Sequence, residues 1–323
     1  MMRSALEAAA DVVVWQHPPF WPRVARIPTA FWRVTRGSFK HTDLVIYDHV
    51  HLAALHTLIP TLKKVPYVVF LHGVEVWAPL AGRRRQALLH ANLLLTNSST
   101  TEAEARKVNA WLPNIEVVWL GVGKHSQAAN VAASPPMALM VGRMVDEERY
   151  KGHDAVLEAW PMIQAAVPSA RLVIIGWGND AARLHQRIVR ENLQGVEFAG
   201  RLTDQQRDEM YLQCRLLLLP SKGEGFGLAA IEAASFGVPV LGLAGTVTEE
   251  LFPSGTGAVL AKNPDAASIA EGAIPVLASA SYAAELGKAA RAKVESVFLE
   301  EHFSERLRKA LSPLLQTAGF APR

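Results

Sequence analysis

The sequence predicts an α/β protein made of two doubly wound parallel-sheet domains, and three observations carry that expectation. Short apolar runs recur along the chain, helical stretches lie between them, and a small, polar stretch ending in two prolines divides the series. The first series of strand candidates is Asp11–Trp15, Leu44–Tyr47, Tyr67–Leu71, Leu93–Thr96 and Val117–Leu120. The second is Ala138–Val141, Leu172–Ile175, Val196–Ala199, Leu216–Leu219 and Val240–Leu243. Most are continuously apolar, as strands covered on both faces must be. Asp154–Ala166, Asp180–Glu191 and Thr203–Gln213 read as helices between strands, which implies parallel sheets with helices on both sides. The dividing stretch, GVGKHSQAANVAASPP, reads as a linker. From Ala283 to Leu315 the pattern is two or three helices with no further strand. The expected organisation is an N-terminal domain over residues 1–121, a linker over 122–136, a second domain over 137–281 and C-terminal helices over 282–323.

Length and composition agree with this. The chain has 323 residues, and half of them are hydrophobic. That supplies two cores and excludes disorder as the dominant state. Cys214 is the single cysteine, so an internal disulfide is excluded and a reducing, cytoplasmic compartment is expected. Glu7 and Asp11 interrupt the apolar start MMRSALEAAADVVVW, which argues against a secretory leader. Apolar runs such as Leu216–Leu219 fall far short of the ~18 residues of a membrane-spanning helix. Residues 1–130 carry 14 Lys/Arg against 8 Asp/Glu, and the rest carry 19 against 22. The basic excess of the first part attracts phosphates of any kind, or is a solvated surface with a slight bias.

The strongest chemical signal is SKGEGFGLAAIEAASFGVPVLG, residues 221–242, directly after a strand candidate. Gly223, Gly225 and Gly227 sit in a turn, and Leu228–Ser235 reads as a helix. Such a turn aims several backbone N–H groups and the positive end of a helix dipole at one anion, and a diphosphate fits. Glu224 lies in the turn and Glu232 on the helix, so both reach one elongated ligand from its two ends. The plainer reading is a common glycine turn followed by a solvated glutamate. The second signal is VGRMVDEERYKGHDAVLEAW, residues 141–160. Arg143 follows a strand and Lys151 precedes a helix, which puts both cations at the carboxyl edge of the second sheet, where open α/β sheets bind ligands. A guanidinium fork and an ammonium suit a diphosphate. The plainer reading pairs these cations with Asp146, Glu147 and Glu148.

Residues 137–260 resemble the C-terminal domain of the retaining family 4 (group 1) glycosyltransferases. The resemblance rests on Val141-Gly142-Arg143, Lys151-Gly152, Ile174-Ile175-Gly176-Trp177-Gly178, Phe198-Ala199-Gly200, the Glu-x7-Glu pair Glu224 and Glu232, and Gly237-Val238-Pro239-Val240, in that order. It implies the GT-B fold, two Rossmann-like domains facing a cleft, with the last helices crossing back to the first. It also implies transfer of a hexose-type sugar from a nucleoside diphosphate to a glycan, lipid-linked or small-molecule acceptor, with retention of configuration. Arg143 and Lys151 would neutralise the diphosphate, and Gly142 and Gly176 would line the donor pocket. The backbone of Gly225, Phe226, Gly227 and Leu228 would donate to phosphate or sugar. Glu224 would hold a sugar hydroxyl, Glu232 the ribose hydroxyls, and the backbone at Arg201 and Leu202 would meet the base. No cofactor beyond the sugar nucleotide is expected. The sequence has no Asp-x-Asp metal pair near these motifs, and two cations with a helix dipole can replace a metal.

In the first domain the resemblance rests on Val68-Val69-Phe70-Leu71-His72-Gly73, a strand ending in His-Gly, which makes His72 a catalytic candidate supported by Glu75. The family's opening strand and glycine-rich loop are not visible, since no glycine precedes Gly37. Donor binding with slow transfer is therefore expected unless residues precede Met1 in the native gene or Gln16–Ile27 replaces that loop. The segment His17–Arg23, with Arg26, Arg33 and Arg36, reads either as a peripheral membrane or lipid-acceptor contact or as a proline-rich loop packed on the domain. Two other functions compete. Gly176-Trp177-Gly178-Asn179-Asp180-Ala181 with Glu197 beyond it partly matches a dinucleotide fingerprint and an NAD-type dehydrogenase. An incomplete first domain fits a non-catalytic sugar-nucleotide-binding protein. Nucleic acid is not an expected partner, because no recognition motif accompanies the basic residues.

Overall fold

The computed structural model describes residues 42–133, 135–253 and 255–317. The strand candidate Asp11–Trp15 and the aromatic, basic segment 16–36 lie outside them. The chain forms two compact units. Among the described residues, one unit runs from 42 to 120 and resumes over 300–317, and the other lies within Gly121–Leu299.

Among the described residues the first unit has four parallel strands in the order β1 (Val45–Tyr47), β2 (Tyr67–Leu71), β3 (Leu93–Thr96), β4 (Ile115–Val117). Helices α1 (Val50–Ala53), α2 (Gly82–Leu89) and α3 (Ser99–Val108) connect them. β2 is buried along its whole length, and its alternating side chains build two cores. Val69 and Leu71 meet Val50, Leu88 and Ala105 on one face. Val68 and Phe70 meet Phe303 and Leu307 of the final helix, Glu300–Thr317, on the other.

The second unit has six parallel strands. In chain order they are β5 (Met137–Val141), β6 (Arg171–Ile175), β7 (Val196–Gly200), β8 (Leu216–Leu218), β9 (Val240–Leu243) and β10 (Ala258–Ala261). The helices are α4 (His153–Ala166), α5 (Ala181–Arg190), α6 (Asp204–Gln213), α7 (Leu228–Ser235), α8 (Val247–Leu251), α9 (Ala266–Ala278) and α10 (Ala280–Val297). Across the sheet the order is β10-β9-β8-β5-β6-β7. The chain starts in the middle at β5, builds outward through β6 and β7, then returns to β8 and builds the other way. The reversal falls between β5 and β8, and crevices at such a reversal bind ligands outside the carboxyl ends of the strands. Trp160 of α4 anchors the core, fully buried, with its indole N–H donating to the Gln194 carbonyl at 2.9 Å.

Three expectations need correction. The fourth strand is Ile115–Val117, not Val117–Leu120. The ladder stops once the Val118 N–H has reached the Thr96 carbonyl at 2.7 Å, and Leu120 instead packs beside Val118 and the final helix. A tenth strand, Ala258–Ala261, was not expected; its two alanines give weak β signal, and pairing along β9 decides it. The stretch read as a linker is strapped to the second unit. The buried Arg215 guanidinium donates to the carbonyls of Val131 and Ala133 at 2.6 and 2.8 Å, and the Ala129 N–H donates to the Phe236 carbonyl at 2.7 Å.

Candidate functional site

The segments after β5 and β8, the two strands at the reversal, touch each other. After β5 the chain runs through Gly142 and Arg143 into a short helical turn, Asp146–Lys151, then Gly152 and α4. After β8 it runs through Pro220 and Gly223 to Gly227, where α7 begins. Gly152 has φ 86°, and a Cβ there would stand 2.6 Å from the Pro220 carbonyl oxygen, so only glycine admits this approach. The Tyr150 ring covers Gly223, and the Tyr150 carbonyl accepts the Lys222 N–H at 2.9 Å. Arg143, Lys151 and Glu224 thus belong to one surface.

The cations are not idle. Glu148 pairs with both: one carboxylate oxygen meets the Arg143 guanidinium, and the other lies 3.6 Å from Lys151 Nζ. The plainer reading of these cations is therefore correct for Glu148. Glu224 is half-buried and makes no hydrogen bond or ion pair among the described residues. Burial, with the nearby charges of Glu148 and Glu224, pushes the Tyr150 phenol up to about 12. Gly227 caps α7 at φ 85°, the left-handed conformation that lets the chain enter the helix directly from the turn. Phe226 is buried with its ring edge-on to Phe298 at 6.2 Å, and Leu228 stands exposed.

Glu232 lies on α7 one turn from its end, partly buried. The Tyr211 hydroxyl donates to Glu232 Oε2 at 3.2 Å, and Arg207 lies 3.7 Å from Oε1. Burial raises the Glu232 carboxyl above its usual range, and Arg207 and the Tyr211 hydrogen bond pull the other way. The Tyr211 ring is fully buried and stacks on Phe236 at 5.6 Å.

Gly176 and Gly178 serve packing. A Cβ on Gly176 would lie 1.8 Å from the Gly142 carbonyl oxygen, and one on Gly178 would lie 1.9 Å from that of Met144. These glycines let the loop after β6 lie on the loop carrying Arg143, so the G-x-G pattern has a use that needs no dinucleotide. Between them Trp177 is half exposed, with the Arg201 guanidinium 5.3 Å over its ring; Leu202 is half-buried beside it. Asp180, at the start of α5, is held by Arg149 and Arg183 at 2.9 and 2.6 Å, and those guanidinium groups keep its carboxyl well below the usual range.

His72 belongs to the first unit, just beyond β2. Its Nε2 lies 2.8 Å from Asp48 Oδ1, its backbone N–H donates to the Glu75 carboxylate at 2.5 Å, and its ring stacks on Phe70 at 4.9 Å. Burial opposes charge on the ring, but the Asp48 hydrogen bond and the charges of Asp48 and Glu75 outweigh it and raise the pKa. Sequence reasoning missed Asp48, Tyr150, Arg207 and Tyr211. For Asp48 a signal existed, since it directly follows a strand candidate.

The family model described as glycosyl transferases group 1 matches residues 123–293, and the chain belongs to this family. Among curated proteins it is 32% identical over 169 residues to the GDP-mannose-dependent monoacylated alpha-(1-6)-phosphatidylinositol monomannoside mannosyltransferase of Corynebacterium glutamicum, covering 50% of this chain and 44% of that one. It is 27% identical over 230 residues to the GDP-mannose:cellobiosyl-diphosphopolyprenol alpha-mannosyltransferase of Xanthomonas campestris, covering 64% and 57%. The chain spans about half the length of the curated relatives it matches. Among solved structures, sucrose-phosphate synthase from Thermosynechococcus elongatus superposes with TM-score 0.78 at 21% identity, over 95% of this chain and 86% of that one. HepE from Anabaena, in complex with UDP and glucose, gives 0.75 at 19%, over 97% and 89%. These likenesses establish the fold as GT-B. No helix among the described residues is long and apolar enough to cross a membrane.

Proposed function

We propose that this protein is a glycosyltransferase that moves a hexose-type sugar from a nucleoside diphosphate to a glycan or lipid-linked acceptor. The observation that carries the reading is the contact between the β5 and β8 segments. It brings Arg143, Lys151, Glu224 and the start of α7 to one surface at the sheet's reversal, in a chain of this family.

Arg143, Lys151 and the N–H groups entering α7 hold the diphosphate and stabilise the charge that grows on it as the glycosidic bond breaks. Two fixed cations and a helix terminus perform that task without a metal ion or a further cofactor, with the sugar nucleotide as co-substrate. Glu224, without a protein partner among the described residues, accepts from hydroxyls of the transferred sugar. Glu232, oriented by Tyr211, accepts from the ribose, and the backbone at Arg201 and Leu202 meets the base. His72, held by Asp48, is the catalytic residue of the first unit. The leaving phosphate takes the acceptor's proton, which favours retention of configuration. A reducing cytoplasmic setting fits the single buried thiol of Cys214. Two of the matched relatives carry lipid-linked substrates in their names, which supports an acceptor at a membrane surface reached peripherally.

A thermal-shift panel of UDP-, GDP- and ADP-sugars and NAD, with release of free sugar followed in parallel, tests this. A rise in melting temperature with one nucleotide class, and turnover of that donor, is expected. A shift with NAD alone points to a dehydrogenase, and binding without turnover or transfer points to a non-catalytic sugar-nucleotide-binding protein.

A further inference from the structure

Glu148 stands where the two cations of the site converge, and its own position is poorly satisfied. It sits in the turn Asp146–Lys151 with φ −111° and ψ 24°, values that break the helical path there. Its side chain is only 13% exposed. One carboxylate oxygen takes a charged hydrogen bond from Arg143 Nη2, whereas the other is buried and has no hydrogen-bond partner, with Lys151 Nζ at 3.6 Å. A carboxylate oxygen shut away from water and left without a donor is costly, so this pairing is held by charge rather than by good geometry. The partners differ in freedom. The Arg143 side chain is 58% exposed and can swing to another anion, but Lys151 is 18% exposed and stays with the loop. Tyr150, next to Lys151, feels the charges of both Glu148 and Glu224, and its ring lies against Gly223.

We infer that Glu148 is a built-in competitor of the donor diphosphate. Its carboxylate occupies Arg143 and Lys151 in the free protein, surrenders Arg143 to the diphosphate on binding, and lowers the affinity of every phosphate ligand at this site. The inference rests on the donor reading above and deepens it, since Glu148 then sets both affinity and charge selectivity. With Glu148 ionised, the trio Arg143, Lys151 and Glu148 carries one net positive charge; without it, two. The carboxylate therefore weakens the pull of the site on any phosphate, and most on the ligand of highest charge. The same competition returns Arg143 to Glu148 when the nucleoside diphosphate departs, which speeds release.

The test is calorimetry of inorganic pyrophosphate, inorganic phosphate, UDP, GDP and ADP with the wild-type protein, Glu148→Gln and Glu148→Ala, at two salt concentrations. Removing a like charge a few ångströms from the phosphates predicts pyrophosphate binding at least ~10-fold tighter in Glu148→Gln. It also predicts a steeper loss of affinity with salt and a larger gain for pyrophosphate than for phosphate. Glu148→Ala, which removes the side chain entirely, should tighten pyrophosphate in the same direction. Unchanged or weaker pyrophosphate binding in both variants overturns the inference and makes Glu148 a residue that merely positions Arg143. The nucleotide arm answers a different question. If none of UDP, GDP and ADP binds the wild-type protein while Glu148→Gln still tightens pyrophosphate, the donor reading fails and Glu148 stands as a competitor of inorganic phosphates at this site.

Discussion

The hydroxyl of Tyr211 donates to Glu232 across 3.2 Å from a ring that is wholly buried, so one end of the candidate ribose site is set from inside the core. Tyr211→Phe keeps the ring stacked on Phe236 and removes only that donor. Losing one hydrogen bond to a charged group predicts nucleoside diphosphate affinity lower by about 1–2 kcal/mol, with pyrophosphate affinity unchanged. The pH profile separates positioning from bulk destabilisation. Ionised Glu232 is the form that accepts from ribose, and the Tyr211 hydrogen bond lowers its pKa against the burial that raises it. In Tyr211→Phe that pKa rises further, so nucleotide binding is lost at a higher pH on acidification. Calorimetry across pH 4.5–8 reads both effects. Glu232→Gln should give the same split between nucleotide and pyrophosphate, and equal losses for both ligands place Glu232 elsewhere.

His153 makes stability fall on mild acidification. Its ring is buried, its Nε2 has no hydrogen-bond partner, and burial followed by the neighbouring Lys151 charge pushes its pKa down to about 4. A base with a depressed folded pKa stabilises fully above its unfolded value near 6.5 and loses that contribution as pH drops toward the folded value. At pH 5 the loss is about 2 kcal/mol relative to pH 7.5. Asp154 and Asp180 also lie near, but both keep depressed values through their arginines and stay ionised at pH 5. Urea melts of the wild-type protein and His153→Phe at the two pH values should show the pH-dependent gap shrinking in the variant.

Gly176→Ala tests the packing assigned to the G-x-G element. The new Cβ would overlap the Gly142 carbonyl oxygen, and backbone cannot step aside as a flexible side chain can. Destabilisation of the second unit by about 3 kcal/mol is expected, at the upper end of overpacking costs, together with loss of pyrophosphate binding as the Arg143 loop shifts. Chemical denaturation that leaves stability unchanged contradicts the packing role.

How far the sequence could be read follows from the same contacts. Strands such as Tyr67–Leu71 and Val240–Leu243 were legible because continuous apolar runs leave few alternatives for a buried parallel strand. The helix Leu228–Ser235 was legible from the glycine turn before it. The strand Ala258–Ala261 was not, because its alanines carry no local preference and the β9 ladder imposes the conformation. The tie of residues 121–133 to the second unit was hidden too, since it depends on Arg215, some 80 residues away in sequence. In the candidate site, the places of Arg143 and Lys151 between a strand and a helix, of Glu224 in the glycine turn and of Glu232 on the helix after it were legible from order and spacing. Tyr150, Tyr211 and Arg207 act through contacts made only when distant segments meet, and no local pattern announces them.

The central claim is a nucleoside diphosphate site on the second unit with Lys151 at its centre, and one measurement addresses it most directly. UDP, GDP and ADP are titrated calorimetrically into the wild-type protein and Lys151→Ala, with donor turnover measured on the same samples and folding checked by circular dichroism. The account predicts measurable binding of one nucleotide by the wild-type protein, weaker binding by the folded variant, and turnover reduced by about 3 kcal/mol in barrier height, roughly a hundredfold. A folded Lys151→Ala protein that binds and turns over donor as well as the wild type contradicts it.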